Sequence, residues 1–313
     1  MQCQRVAVGI LLAAGLGLAQ VEPAPPEGAF RISADVERVV LPVTVVDRQD
    51  RIVPNLTKDS FRIYDDGRPQ PVHDFFYRDI PLTVGLVMDS STSMMPKRDS
   101  AILAALSFVR LSNPEDQAFV VNFNEKVSFG LSEAFSADPK RLRDAFLKLP
   151  CQGKTALYDA VVAAAERLSG GTRDKKALIV VTDGGDNASR HRLQDTIEAL
   201  RRSEAIVYTI GLYDADDPDR NPAVLKQLAR PTGGEAFFPE SPRDLPDILA
   251  HVARVLRSQY TITYEPAAEA HDGRYHHIRV TATEPASGHH LAVRTRAGYQ
   301  APAPARTSTA GNQ

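Results

Sequence analysis

Cysteine is nearly missing from this chain of 313 residues, which holds only Cys3 and Cys151. Cys3 falls within a leader-like segment, so the chain left after cleavage has one cysteine and no internal disulfide. A secreted protein without disulfides fits a bacterial periplasm or exterior better than an animal extracellular matrix. Cys151 reads as an inert small residue beside a loop, with a reactive thiol as the alternative. Excess charge of one sign is also missing. The formal charge is -2 and no cluster of Lys and Arg stands out, which argues against a nucleic-acid partner, because phosphate binding relies on grouped cations. Long hydrophobic runs are absent as well. The nearest, Val6 to Leu18, is too short to span a bilayer as a retained helix. With Arg5 before it and Gly17-Leu18-Ala19 at its end, it has the charged start, apolar core and small residues of a secretory signal cleaved after Ala19. The competing reading, a buried amphipathic helix, lacks a polar second face. Cys3 precedes the apolar core, so no lipidation is expected. The expectation is an exported protein, periplasmic or extracellular, with no membrane span after cleavage.

What is present is ordinary globular composition, 43% hydrophobic and 24% charged, in a length that suits one large domain and a smaller one. Residues 1–19 are the expected signal and 20–29 a linker rich in Pro and Glu. Residues 30–79 are patterned as β: Val39 to Val46 is β-branched, Asp47 to Asp50 is a turn, Phe61 to Tyr64 alternates up to the turn signal Asp66-Gly67, and Val72 to Tyr77 reads as the returning strand. Residues 80–257 alternate strands and helices. Leu82–Met88 is a strand, and Ile102, Leu103, Leu106 and Val109 stripe the helix after it. Ala118–Phe123 and Lys126–Phe129 lie too close together for a crossover helix and read as a hairpin. Arg141 to Leu149 is a short helix, and Leu157, Ala160, Val161, Ala164, Ala165 and Leu168 mark a longer one. Strands follow at Ala177–Val181, Ile206–Ile210 and Ala236–Phe238, the last at a sheet edge. A final amphipathic helix carries Leu245, Leu249, Val252 and Leu256. Such alternation specifies an α/β fold: a doubly wound, mostly parallel sheet with helices on both faces. Residues 258–298 return to β, and 299–313 read as a disordered tail. Few strands bury little surface alone, so 30–79 and 258–298 are expected to form one small β-sandwich-like module with the α/β domain inserted in it.

The stretch that organises the chain is Leu82 to Met94. Its apolar run ends in Asp89-Ser90-Ser91-Thr92-Ser93, at the carboxyl end of a strand, where open α/β sheets bind ligands. In an extended backbone Asp89, Ser91 and Ser93 point to one side. One carboxylate and two hydroxyls suit a hard cation such as Mg²⁺, Mn²⁺ or Ca²⁺ and suit zinc or copper poorly. The plainer account is capping, since Ser and Asp before a helix are favoured for that reason alone.

Asp89-Ser90-Ser91-Thr92-Ser93 resembles the D-x-S-x-S signature of the metal-ion-dependent adhesion site of von Willebrand factor type A domains. Gly153-Lys154-Thr155 resembles the second loop of that family, and Leu178 to Gly184 its later strand with a terminal aspartate. Asp214 to Pro239 resembles a bacterial branch labelled von Willebrand type A-related. The resemblance implies that Asp89, Ser91, Ser93, Thr155 and Asp183 hold Mg²⁺, or Mn²⁺ or Ca²⁺, with the acids acting partly through water. It also implies one coordination position open to an acidic residue of a protein partner. Thr92 departs from the glycine often found in the family.

The function this implies is an exported binding or adhesion protein that does no chemistry on its partner. The alternative is a structural or assembly module of the cell envelope whose cation only stabilises the loops. An enzyme reading lacks its motifs: Ser91 has no G-x-S-x-G context, and Lys154-Thr155 lacks the glycine-rich lead of a phosphate loop. The acidic loop 214–221 has alternating acids but no EF-hand glycine or closing glutamate, and reads as a solvated loop in which Asp219 or Asn221 caps a helix. The pairs His276-His277 and His289-His290 read as solvent-facing hairpin residues.

Overall fold

The structure is a computed structural model that describes residues 38–214, 220–267 and 272–302. The expected signal, the whole linker, the start of the first β segment, Asp219, and all but the start of the tail lie outside the described residues.

Strand β5 (Leu82–Asp89) is the axis of the larger sheet. All eight of its residues are buried, as a central parallel strand covered on both faces requires. It pairs in parallel with β6 (Gln117–Phe123) on one side and β8 (Lys175–Thr182) on the other. Beyond β8 lie β9 (Ile206–Gly211) and the short edge strand β10 (Ala236–Phe237), both parallel; beyond β6 lies β7 (Val127–Phe129), antiparallel. The order β10-β9-β8-β5-β6-β7 is that of a doubly wound sheet with one antiparallel edge, and the chain reverses direction of winding between β5 and β8. Gly85 lets the layers close at this axis. A Cβ there would sit 2.5 Å from both Leu178 Cδ2 and Phe119 Cζ.

Two apolar layers sandwich this sheet. Helices α1 (Arg98–Arg110), α2 (Pro139–Phe146) and α6 (Leu245–Arg257) share a cluster with one face of the sheet, including Leu86, Met88, Ile179 and Leu249. Helices α3 (Leu157–Ser169), α4 (Leu193–Ser203) and α5 (Pro222–Ala229) share another with Val87, Val121, Leu178 and Val207. The stripe expected on α1 is partly wrong: Leu103 is 66% exposed, and the buried face is built from Ala101, Ile102, Ala104, Ala105, Leu106 and Phe108. Small alanines let α1 lie close to α6, so the contact face is set by size as well as by hydrophobicity. α2 starts at Pro139, earlier than expected, because Asp138 caps it by accepting from the Lys140 N–H at 2.8 Å.

The second sheet is antiparallel and draws on both ends of the chain. Its path runs β3 (Arg68–Gln70), β2 (Phe61–Asp65), β12 (Tyr275–Thr283), β13 (His290–Arg294), β1 (Val39–Val46), β11 (Tyr260–Tyr264), β4 (Phe75–Tyr77), with β14 (Gly298–Gln300) also on β12. On this path β2 and β4 are five strand steps apart, about 24 Å in a flat sheet at ~4.8 Å per step. Yet the Phe61 and Phe75 ring centroids are 5.5 Å apart, and Phe61 and Tyr260 are 5.1 Å apart. The sheet is therefore rolled until its ends face each other over one core of Leu41, Val43, Phe61, Ile63, Tyr260 and Ile262, which gives the sandwich-like form. Val72 to Tyr77 does not return beside β2. The partner of β2 after the Asp66-Gly67 turn is β3, with Pro69 in an edge strand where no ladder donor is needed. β4 pairs instead with β11. The sheet also continues past the expected boundary at 298, because Gly298–Gln300 form β14.

The chain passes between the two sheets at the end of β5 remote from Asp89. There the Arg257 guanidinium, at the end of α6, donates to Asp79 Oδ1 at 2.9 Å and also to Asp116, whose Oδ1 accepts from the Leu82 N–H at 2.9 Å.

Candidate metal centre

The switch between β5 and β8 places Asp89 and Asp183 side by side at the carboxyl ends of neighbouring strands. Both are fully buried. Asp89 closes β5 and is held from two directions: its Oδ1 accepts from the Ser91 N–H at 2.7 Å and its Oδ2 from Thr182 Oγ1 at 2.5 Å. Burial pushes the Asp89 carboxyl up to about 6; the hydrogen bonds from Thr182 and Ser91 oppose this, and the nearby Asp183 charge adds to it. Ser91 Oγ lies 3.2 Å from Ser93 Oγ, and Ser93 Oγ donates to Asp183 Oδ1 at 2.8 Å. Asp89, Ser91, Ser93 and Asp183 thus form one connected oxygen cluster.

Thr155 reaches this cluster from a separate loop. Gly153 adopts φ +75 in that loop, a backbone conformation that favours glycine. The Thr155 N–H donates to Asn187 Oδ1 at 2.9 Å, and its carbonyl accepts from the Asn187 and Ala188 N–H groups. The backbone is thereby tied to the loop after β8. The side chain is 4% exposed, and a Cβ on Gly184, next to Asp183, would stand 3.7 Å from Thr155 Oγ1. Thr155 Oγ1 makes no hydrogen bond among the described residues, which leaves its lone pairs free. Thr92 tightens the same junction, its N–H and hydroxyl both donating to the Gly153 carbonyl at 3.3 Å.

Three neutral hydroxyls and two carboxylates form the donor set of a hard divalent cation, with waters completing about six positions. Capping does not explain the cluster, for Ser91 and Lys97, the cap residues of the short 3-10 turn at Thr92–Met94 and of α1, make no side-chain cap hydrogen bond. The residues present fit the ion.

Three participants escape the sequence pattern. Thr182, the last residue of β8, orients Asp89. Asp159, at the start of α3, braces the loop after β8 by accepting from the Arg190 and His191 N–H groups at 3.1 and 2.9 Å. Lys97 has its Nζ 2.8 Å from Asp183 Oδ2 and 2.7 Å from Asp214 Oδ2. Burial works against its charge, but the two carboxylates outweigh that and lift its pKa above the ordinary lysine range. Asp214, first residue of the acidic loop, is therefore an ion-pair partner; Asn221 caps α5, its side chain accepting from the Val224 N–H at 3.3 Å. Cys151 is half-buried and burial pushes its thiol up, which makes it a poor nucleophile.

The histidines divide. His277 is exposed but His276 is 8% exposed, a correction to the solvent-facing expectation. Strand alternation turns His276 inward, where its ring lies 3.3 Å from Asp65, 3.1 Å from Asp66 and 3.1 Å from Asp272. This Asp-Asp-His group belongs to the rolled antiparallel sheet and shares no residue with the Asp89 cluster. Burial lowers the pKa of His276, but the Asp272 hydrogen bond and the charges of Asp65, Asp66 and Asp272 outweigh it and raise the balance, so the ring serves these acids as an ion-pair partner.

Residues 84–185 match the sequence profile of the von Willebrand factor type A domain. The chain carries a von Willebrand factor type A domain. A von Willebrand factor type A protein from Catenulispora acidiphila superposes with a TM-score of 0.51 at 13% identity, covering 86% of this chain and 74% of that one; the likeness of fold extends well beyond the α/β domain. Proximal thread matrix protein 1 from the mussel byssus, in a structure with a zinc-occupied metal-ion-dependent adhesion site motif, superposes with a TM-score of 0.50 at 19% identity, covering 61% of this chain and 49% of that one. The chain thus spans about half the length of the mussel protein. No curated protein matches the sequence significantly. Among the described residues no helix is long and apolar enough to cross a membrane.

Proposed function

We propose that this is an exported binding protein whose type A domain engages a protein partner through a divalent cation held by Asp89, Ser91, Ser93, Thr155 and Asp183. The observation that carries the reading is the convergence of two wholly buried carboxylates and the serine hydroxyls at the strand switch point, with Ser93 Oγ bridging Ser91 Oγ and Asp183. Buried carboxylates need a counter-charge. The cluster holds two buried carboxylates, Asp89 and Asp183, and one ammonium, Lys97, which it shares with the exposed Asp214; the uncompensated negative charge is what a cation neutralises. When bound, such an ion supplies an electrophile for an acidic side chain of the partner. Hydroxyl ligands preserve that electrophilicity because they donate no charge. Asp89 is fixed by Ser91 and Thr182, and Thr155 by Asn187 and Ala188, so the oxygens are preorganised and little ordering is left to oppose binding. No group in the cluster is set up as a nucleophile with a base, and the role proposed is binding without chemistry on the partner.

The cation proposed is Mg²⁺ or Mn²⁺, with Ca²⁺ as the larger hard alternative. The zinc held by the mussel protein makes Zn²⁺ the competitor to measure, since zinc outranks manganese in general affinity. Calorimetric titration with each ion, followed by capture from envelope extract in Mg²⁺ and in EDTA, tests the proposal. Saturable binding that Asp183→Ala abolishes, and partner capture lost in EDTA, are expected. Capture that survives EDTA while stability falls would transfer the role of the ion to holding the loops of an assembly module.

A further inference from the structure

We infer that Lys97 is a tethered counter-cation of the metal centre, shared between Asp183 and Asp214, that competes with a divalent ion and moves onto Asp214 when one binds. This rests on the cation reading above and concerns how this chain sets the strength of that site.

Position is the first argument. Lys97 is the N-cap residue of α1, with its N–H donating to the Met94 carbonyl at 3.0 Å and its own carbonyl accepting from the Ala101 N–H at 3.1 Å. Its backbone is thus fixed directly behind the Asp89–Ser93 loop. A cation at a helix N-terminus faces the unfavourable end of the helix dipole, and the residue makes no side-chain cap bond, so the helix gives no reason for a lysine here. Nor is it a solvated surface lysine: its side chain is 8% exposed.

Its partners supply the second argument. The ammonium lies 2.8 Å from Asp183 Oδ2 and 2.7 Å from Asp214 Oδ2, and the other Asp183 oxygen accepts from Ser93. The two carboxylates differ in exposure: the Asp183 side chain is 0% exposed and that of Asp214 70%. A buried carboxylate is costly to leave without a positive charge, whereas an exposed one is solvated. Asp183 therefore always takes the nearest strong cation. With Lys97 alone, that cation is the ammonium. A divalent ion on Asp183 and Ser93 repels the ammonium, which keeps its second contact on Asp214. The flexible stem of lysine allows this small displacement without moving the helix, and Asp214 lowers its cost by receiving the charge.

The pair makes opposite predictions for its two members. Lys97→Met removes the competitor, so affinity for Mg²⁺ or Mn²⁺ should rise about tenfold to a hundredfold. Asp214→Asn leaves the ammonium with Asp183 as its one carboxylate among the described residues, and affinity should fall about tenfold. In the double variant the Asp214→Asn loss should vanish, because Asp214 acts through Lys97. Lys97→Arg, which keeps the charge, should not reproduce the gain. Calorimetry on the full chain reads all four, and melting temperatures in EDTA confirm folding, with a larger Mg²⁺-induced rise in Lys97→Met than in the wild type. Equal affinity in wild type, Lys97→Met and Asp214→Asn, or an Asp214→Asn loss that persists in the double variant, overturns this inference and leaves the cation reading intact. No binding by any of them, Lys97→Met included, overturns the cation reading beneath it. Binding by Lys97→Met alone supports both.

Discussion

The two ends of the parallel sheet both bury charge, and they balance it differently. At the end where the chain enters and leaves, Arg257 bonds Asp79 and Asp116, Asp116 also accepts from the Leu82 and Asn113 N–H groups, and the Lys175 ammonium donates to the Leu256 carbonyl at the end of α6. Two basic side chains face two carboxylates, and every group named has a partner within the fold. At the opposite end Asp183 and Asp214 share Lys97, and Asp89 has no ion-pair partner among the described residues. The first arrangement is closed and structural. The second leaves two buried carboxylates, Asp89 and Asp183, with one ammonium among the described residues, a shortfall of positive charge that a cation from outside can make up. Burial of charge is therefore not by itself a sign of function; the sign is burial without internal balance, at the carboxyl ends of strands where a ligand has access.

If the closed end is structural, breaking it should cost stability more than anything done at the metal centre. Asp116→Ala strands the Arg257 guanidinium beside one remaining carboxylate and orphans two backbone donors, and should destabilise by about 3 kcal/mol in urea unfolding, without changing cation affinity. Asp89→Asn should do the reverse. It removes a charge that burial makes unfavourable, so metal-free stability should stay within about 1 kcal/mol of wild type or rise, while calorimetry shows divalent-ion binding lost. A large loss of metal-free stability in Asp89→Asn would erase the contrast between the ends.

Lys175 sharpens the comparison through pH. Burial lowers its pKa to about 7, Arg257 adds to the depression, and Asp79 and Asp116 oppose it. The folded pKa is thus below the unfolded one. Between the two the unfolded chain binds a proton that the folded chain does not, so stability rises with pH from about 7 to about 10.5, by up to about 1.4 kcal/mol per unit. Below pH 7 both states are protonated and the penalty is complete. Lys175→Met should lack this slope. Urea midpoints of the two proteins at pH 7 and pH 9 measure it, and parallel lines would show that the lysine stays charged.

Much of this contrast was legible from local pattern. The run Leu82–Met88 ending in Asp89, and Leu178–Val181 ending in Thr182-Asp183, mark strands whose acids must sit at carboxyl ends. Two β-patterned segments flanking one α/β pattern imply a shared sheet, because each has too few strands to close a core. What escaped detection depends on contacts distant in sequence. Lys97 and Asp214 are paired across 117 residues, and neither carries a local signal beyond its charge. β4 pairs with β11 and not with β2, because β3 and β12 occupy both edges of β2. His276 turns inward because strand register, not composition, decides which of two adjacent histidines faces the core. Leu103 faces solvent because α1 turns its alanine-rich side inward.

The smallest expected effect is at Thr155. Its backbone holds the loop in place through Asn187 and Ala188, and these bonds do not involve the side chain. Thr155→Ala therefore removes a buried hydroxyl and one methyl, and stability should fall by about 1 kcal/mol. A neutral hydroxyl contributes less to a divalent ion than a carboxylate does, so cation affinity should fall only about tenfold, near 1.4 kcal/mol. Partner binding should fall further. Thr155 comes from a loop separate from the Asp89–Ser93 segment, and its hydroxyl is the one donor of the five residues without a hydrogen bond among the described residues. It is the ligand whose engagement is free to change when a partner carboxylate arrives, and its loss should weaken the loaded complex more than the ion alone. Calorimetry of the ion and of the partner in saturating Mg²⁺ separates the two effects. Equal losses would make Thr155 an ordinary ligand, and no loss in either would remove it from the site.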